Sequence, residues 1–295
     1  MPSFVAAALG GLLSLTLAGT AMAQERFSLF VGSATENVMR MVKLADLRDD
    51  DVVVDLGSGD GRIVFAAAAS NAKLRGWGVD IDAALVTRSN ETAKEQGLAN
   101  RVHFLHQNAF DADLSKSTVI FMWLWPELKR MLRPKILAEA RPGTRVVTST
   151  WDLGSWRPDE VDGEGTPVSM WIVPAKVEGN WNWSLPFGDR QASYAAVVEQ
   201  RFQNAEGVVR VGARRGIFDN VRLRGEDISF TLAMTLDGAG FVRHEFVGKV
   251  QGDVIEGSVR ISPSPHDKTV VLAWRATRTR DSAYFAPAGL IVPEK

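Results

Sequence analysis

The stretch Val52-Val53-Val54-Asp55-Leu56-Gly57-Ser58-Gly59-Asp60-Gly61-Arg62 decides the fold. Its first part is a short β-branched run without polar alternation, the pattern of a strand in a parallel sheet covered on both faces. Glycines at alternate positions follow, and they let the backbone turn sharply and approach a ligand closely. From Arg62 to Ala72 the chain reads as an alanine-rich helix. Its first turn offers free N–H groups and the positive end of a helix dipole. Strand, glycine turn and helix start therefore make a ligand-binding corner.

The same alternation extends on both sides. Upstream, Glu36 to Leu44 reads as a helix, with Val38, Met39, Met41 and Val42 on one face and Leu47 continuing the apolar pattern. Downstream, Trp77 to Asp80 is a strand, and Asp82 is placed to cap a helix running to about Glu95. Arg101–Leu105, Ser117–Trp123 and Arg145–Thr150 read as further strands. Pro126 to Ala140 reads as a helix that Pro134 should interrupt or restart. Trp171 falls in the last strand of this part. The expectation is a doubly wound, Rossmann-like α/β sheet over residues 24–177.

Asp80 supports the ligand corner. It stands at the tip of the next strand, 25 residues after Asp55, where a carboxylate can take both ribose hydroxyls of a nucleoside. A nicotinamide dinucleotide would require a third glycine at position 62, which is Arg62. Asp55 would also repel a pyrophosphate, whereas it suits the ammonium of a methionine moiety. No Gly-Lys-Ser/Thr follows the turn, so P-loop chemistry is excluded.

Composition narrows the classes further. The chain has 295 residues, 45% of them apolar, and a net charge of -1. That size accommodates two ordinary domains, and the near-neutral charge gives no general pull toward nucleic acid or anionic membrane. There is no cysteine, which removes disulfides, thiolate metal sites and cysteine nucleophiles. His103, His106, His244 and His266 are scattered. No metal site is expected, because His103 and His106 stand three apart in a strand and point to opposite faces.

Residues 178–295 change character. Ile228, Phe230, Leu232, Met234 and Leu236 alternate one in two, and Asp237-Gly238 and Gly252-Asp253 are hairpin signals. Segments starting at Arg222 and Lys249 resemble each other loosely, each a strand followed by a Gly-acid turn and Ile. The pattern predicts about seven or eight antiparallel strands in a small barrel or sandwich. Trp181 and Trp183 are expected to pack across the junction between the two units. Arg275, Arg278 and Arg280 are expected on a solvated face.

Residues 1–23 read as a signal peptide. Val5 to Ala18 is a short apolar run, too short for an ordinary membrane span. Ala21 and Ala23 fit a small-x-small cleavage pattern. The leading segment carries no Lys or Arg, so an uncut anchor or a misplaced start codon are the alternatives. Cleavage implies a periplasmic or exported protein without stable membrane insertion; a misplaced start implies a cytoplasmic one.

Residues 52–62, Gly78-Val-Asp-Ile-Asp82 and Val102-His-Phe-Leu-His-Gln-Asn-Ala109 together resemble the cofactor motifs of class I S-adenosylmethionine-dependent methyltransferases. The resemblance implies S-adenosyl-L-methionine as cofactor, held by Asp55, Gly57, Ser58, Gly59, Gly61, Asp80, Ile81, Asn108 and Ala109. The family usually carries Asp at the position of Asn108, near the adenine; the Asn108 amide oxygen can accept from the adenine amino group.

A narrower resemblance covers roughly residues 30–175. Trp123-Leu-Trp-Pro-Glu-Leu, Leu132-Arg-Pro-Lys-Ile-Leu and Pro142-Gly-Thr-Arg-Val-Val are similar to bacterial relatives of the ATP-synthase c-subunit lysine methyltransferase family. Two segments depart from it. Phe30-Val-Gly-Ser-Ala34 replaces an aromatic-Val-Pro-Thr-Pro segment, and Trp123 replaces a frequent Tyr. The resemblance implies a methyl acceptor, either a protein lysine or a small molecule, with Trp123, Trp125 and Phe30 as walls and Glu127 as a group to orient an amine. For Glu127 the competing reading is a first-turn acid favoured by the helix dipole. The rival to an enzyme is an exported ligand-binding or scaffold protein built on an inactive methyltransferase fold.

Overall fold

A computed structural model of the chain describes residues 32–187, 189–238, 240–262 and 269–279. The expected leader, Phe30, His266 and Arg280 lie outside the described residues. The order is α1 (Thr35–Leu44), β1 (Val52–Leu56), α2 (Arg62–Ser70), β2 (Arg75–Asp80), α3 (Ala83–Glu95) and β3 (Val102–His106). A short 3-10 turn (Ala109–Asp111), β4 (Val119–Met122), α4 (Pro126–Glu139) and β5 (Arg145–Ser149) follow. The strands lie in the order β3-β2-β1-β4-β5 and are all parallel. β6 (Glu160–Asp162) and β7 (Val168–Ile172) complete the sheet, β7 antiparallel to β5 and β6 antiparallel to β7.

Apolar residues on both faces of the central strands explain the two helical layers. Val53, Val119, Phe121 and Val147 pack with Met41 of α1 and Ile63 and Ala67 of α2. Their strand neighbours Val54, Leu56, Ile120, Met122 and Val146 pack with Leu132 and Ile136 of α4 on the other face, as the two-residue period of a strand requires. The strand order reverses between β1 and β4. The carboxyl ends of those two strands therefore flank the crevice in which such sheets bind ligands.

α4 runs unbroken through Pro134, contrary to the expected interruption. Pro134 is exposed, so the backbone carbonyl it leaves unpaired faces the side where water can satisfy it. Among the described residues no helix is long and apolar enough to cross a membrane.

Among the described residues the second sheet is antiparallel and nine-stranded rather than seven- or eight-stranded. It comprises β8 (Gly179–Phe187), β9 (Arg190–Arg201), β10 (Asn204–Val211), β11 (Arg214–Ile217) and β12 (Asp219–Arg224). β13 (Asp227–Leu236), β14 (Gly240–Gln251), β15 (Val254–Ser262) and β16 (Val270–Arg278) follow. The order is β11-β10-β9-β8-β16-β15-β14-β13-β12. β11 and β12 occupy opposite edges, yet only Phe218 separates them. Two Cα–Cα steps span at most about 7.6 Å, whereas eight gaps of about 4.8 Å would make a flat sheet roughly 38 Å wide. The sheet is therefore rolled into a barrel. Its interior is filled by side chains: Trp183 meets Tyr194, Phe218, Phe246 and Trp274 at ring-centroid distances of 5.1, 6.5, 5.7 and 5.7 Å.

The junction is built differently from the sequence expectation. Trp183 belongs to the barrel core, whereas Trp181 joins that core to the connecting segment, packing with Ala175 and Val177 and donating from Nε1 to the Val177 carbonyl at 2.8 Å. The aromatic contact across the junction is Trp156, stacked on Phe202 at 6.0 Å. Gln200 clamps the connecting segment, donating to the Ala175 carbonyl at 2.9 Å and accepting from the Val177 N–H at 2.6 Å. Arg278 is not on a solvated face. Its side chain is 8% exposed, lies over the Trp181 ring, pairs with Asp253 and donates to the carbonyls of Lys176 and Glu178. The reason is register: Arg278 lies opposite Trp181 at the start of β8, so its stem covers the indole while its head reaches the incoming chain. Arg275 does remain exposed, paired with Glu256.

Candidate active site

The glycine corner forms at the carboxyl end of β1. Gly57, Gly59 and Gly61 all have positive φ, at 82°, 53° and 78°, a region that side chains with a Cβ rarely adopt. Gly57 and Ser58 donate their N–H groups to the Val79 carbonyl, both at 2.9 Å. A Cβ at Gly57 would lie 2.6 Å from Leu124 Cδ2, so the corner touches the segment leaving β4. The two sides of the crevice meet there.

Asp80 is fixed at the tip of β2. Its Oδ2 accepts from Gly59 N–H at 2.8 Å and its Oδ1 from Asp82 N–H at 2.9 Å. Each carboxylate oxygen keeps acceptor capacity, which suits two vicinal hydroxyls. Asp82 caps α3, accepting from Ala84 N–H at 3.0 Å.

Asp55 is 1% exposed, and neither of its oxygens has a hydrogen-bond partner among the described residues. Burial, reinforced by the negative charges of Asp80 and Asp60, raises its carboxyl well above the usual carboxylate range. An unpaired buried carboxyl costs free energy. A ligand ammonium placed against it would supply the missing partner, so the residues present fit S-adenosylmethionine at this corner. The Ser58 hydroxyl is likewise buried without a partner among the described residues.

Arg62, which in the sequence only excludes a third glycine, has a structural task. Its guanidinium pairs with Asp60, holding that carboxyl below its ordinary value, and donates to the Ser33 carbonyl at 2.6 Å. Residues 32–34 are thereby fastened beside the corner. Ile81 is half-buried, and its carbonyl accepts from His106 Nε2 at 3.1 Å. The Asn108 amide oxygen is not simply free for a ligand, because it accepts from Phe110 N–H at 3.0 Å and caps the turn that contains Ala109. A second lone pair and the amide N–H groups remain.

The three acceptor-side candidates separate. Trp123 is half-buried and packs in the core cluster formed by α1, α2 and the sheet. Trp125 is 46% exposed at the N-cap of α4. Glu127 is exposed in the first turn of α4, consistent with a dipole-favoured acid.

Two neighbouring residues escaped the sequence reading. Trp151, 41% exposed, stacks on Trp125 with ring centroids 5.4 Å apart. Lys129 has no solvent exposure; its Nζ donates to Thr148 Oγ1 at 3.1 Å, to the Ser149 carbonyl at 3.2 Å and to the Trp151 carbonyl. Burial lowers its pKa to about 8, against the opposing pull of Asp152. The available signal was helical phase: Lys129 stands three before Leu132 and seven before Ile136, on the apolar stripe of α4. Asp152 is exposed, and Trp156 serves the junction as described.

A separate cleft of about 870 Å³ opens at the amino ends of β4 and β5, bordered by Asp51, Ser117, Arg145, Arg224 and Lys249. It lies at the edge of the sheet opposite the glycine corner.

Residues 55–160 match the family model of the ANTKMT methyltransferase domain. A protein-lysine N-methyltransferase of Saccharolobus islandicus is 35% identical over 132 residues, 45% of this chain and 82% of that protein. The human lysine N-methyltransferase of the ATP-synthase c-subunit is 29% identical over 146 residues, 50% of this chain and 61% of that enzyme, so the chain spans about three fifths of that relative. Among solved structures, an RNA methyltransferase from Salinibacter ruber in complex with S-adenosyl-L-homocysteine is 42% identical, covering 50% of this chain and 96% of that one, with a TM-score of 0.48. With the archaeal enzyme matched over most of its length and the glycine corner in place, the chain belongs to the family of S-adenosylmethionine-dependent methyltransferases that includes these lysine N-methyltransferases.

Proposed function

We propose that the protein transfers a methyl group from S-adenosylmethionine to a lysine side chain of a protein. The observation that carries the reading is the contact of the glycine corner with Leu124, directly before the exposed indole of Trp125. The segment that carries this indole therefore leaves directly from the cofactor corner. The lysine N-methyltransferase names of the relatives support the choice of acceptor.

Bound S-adenosylmethionine supplies an electrophilic methyl group on a sulfonium. The chain's own residues bind and orient. Asp55 pairs with the ligand ammonium, and Asp80 takes the ribose hydroxyls. Gly57, Gly59 and Gly61 let the backbone come close, with Ser58 beside them. Ile81, Asn108 and Ala109 border the base. Displacement at a methyl carbon depends on alignment and exclusion of water. The indole surface also helps the acceptor, because a lysine must be neutral to attack and apolar surroundings favour its neutral form. We place this chemistry in residues 24–177, with 178–295 as a separate folded unit, and we propose that residues 1–23 direct export.

The full chain, incubated with methyl-labelled cofactor and an extract of its own cells, should label a protein band that yields methyl-lysine on acid hydrolysis. Label confined to RNA or to small molecules would overturn the lysine reading. Cofactor binding with no label anywhere would favour the inactive binding protein.

A further inference from the structure

Trp125 and Trp151 form an exposed pair that the fold neither buries nor needs for its core. Among the described residues each indole is nearly half exposed, so the stacked pair presents an aromatic face. The surrounding structure is built to hold them. Lys129 connects to both: its backbone N–H donates to the Trp125 carbonyl at 3.2 Å, and its Nζ donates to the Trp151 carbonyl. The same Nζ ties Thr148 and Ser149 at the end of β5 and lies 5.7 Å from the Trp151 ring centroid.

Between Ser149 and Trp151 stands Thr150, at φ 76°. A β-branched residue there is strained, and such strain persists only where neighbours over-determine it. The bonds from Lys129 to the carbonyls on either side do so, together with the bond from Thr150 N–H to the Pro167 carbonyl at 2.9 Å. A buried lysine and a strained turn thus serve to set one indole against another at the carboxyl edge of the sheet.

We propose that Trp125 and Trp151 are the docking platform for the acceptor's alkylammonium side chain, and that Lys129 is the residue that positions it. The proposal rests on the lysine reading above. Indole faces attract an alkylammonium group and pack against its methylene stem. Lys129 acts through the groups it holds, Thr148 Oγ1 and the carbonyls of Ser149 and Trp151, which fix the second indole against the first.

The test uses the full chain saturated with S-adenosylhomocysteine. The probes are Nα-acetyl-lysine N-methylamide and its norleucine analogue, read through the indole N–H resonances of the nine tryptophans. The lysine compound should shift the Trp125 and Trp151 signals at concentrations at which the norleucine compound, which has the stem without the ammonium, shifts them much less. Trp125→Ala and Trp151→Ala should weaken docking about 3- to 30-fold, the range of a single cation–π contact. Lys129→Met should weaken it comparably and Lys129→Gln less, because Gln keeps two donors. S-adenosylhomocysteine affinity should stay unchanged in all four variants; a misfolded variant would lose that too.

Docking that is equal in wild type and in Lys129→Met, or that shifts neither indole, overturns the proposal. If lysine is methylated while both tryptophan variants keep the wild-type KM, the platform is wrong and the lysine reading stands. If the probe docks on the two indoles yet no lysine is ever methylated, the platform stands and the lysine reading fails.

Discussion

Asp51 and Asp55 stand four residues apart at the two ends of β1. Both are buried, 4% and 1% exposed, and the chain treats them oppositely. Asp51 is saturated. It accepts from the Arg145 guanidinium, from Thr118 Oγ1 at 2.6 Å and from Arg48 N–H at 2.6 Å. Arg145 also donates to the carbonyls of Ala45 and Asp46, so the cluster ties α1, β1, β4 and β5 at the amino edge of the sheet. Asp55 has no such partner among the described residues, although its strand could have carried an apolar residue there. With one buried acid fully satisfied and its neighbour unpartnered, the second is the one a ligand ammonium would complete. That difference separates the stabilising edge of this sheet from the working edge.

The largest effect expected is on the saturated acid. Arg145→Met should strand the Asp51 carboxylate and destabilise the protein by about 3–5 kcal/mol, the usual cost of breaking a buried pair. Urea unfolding would show it; a loss under about 1 kcal/mol would mean Asp51 is not held by that pair. Next comes Asp80→Ala. It should cost about 1.5–3 kcal/mol of binding to S-adenosylmethionine and S-adenosylhomocysteine alike, and it should also lower the melting temperature, because the Gly59 and Asp82 N–H groups lose their acceptor. Unchanged affinity in calorimetry would remove Asp80 from the ribose.

The smallest effect has the opposite sign. In the folded protein the pKa of Asp55 lies well above the ordinary carboxylate value it has in the unfolded chain. Its contribution to stability is therefore fully present below that ordinary value and is lost as pH rises through the folded pKa. Asp55→Asn should accordingly gain stability over wild type, without cofactor, as pH climbs from about 4 to 7. Saturating S-adenosylhomocysteine should narrow that gap by stabilising wild type. Melting curves for both proteins across this range decide it, and a variant uniformly less stable than wild type would show that Asp55 already has a partner in the fold.

The same contrast shows why some of the structure was legible in the sequence. Motif and period carried the glycine corner, Asp80 and the parallel strands, because backbone conformation and burial there depend on local residue type. β6 was missed since Glu160-Val-Asp162 is too short to show a period. β11 was also missed, because Arg214–Ile217 has no alternation of burial, whereas its neighbour β12 was read from Arg222 onward. Arg278 was misread in the same way, and Asn108 carries a capping task that the sequence did not show. Arg278 was expected to face solvent, but the fold brings Asp253 and the carbonyls of Lys176 and Glu178 to it. Lys129 was visible as a charge on an apolar stripe, but its partners lie 19 to 22 residues further along the chain.

Asp55 is tested most directly by calorimetry of S-adenosylhomocysteine binding to the full chain, in two buffers of different ionisation enthalpy, near pH 5. Burial raises the Asp55 carboxyl without ligand, and a ligand ammonium placed against it should lower it again. Binding should therefore release protons to the buffer, and Asp55→Asn should bind more weakly and without that release. No binding to wild type at millimolar ligand, or the same proton release from Asp55→Asn, would contradict the assignment of Asp55 to the cofactor.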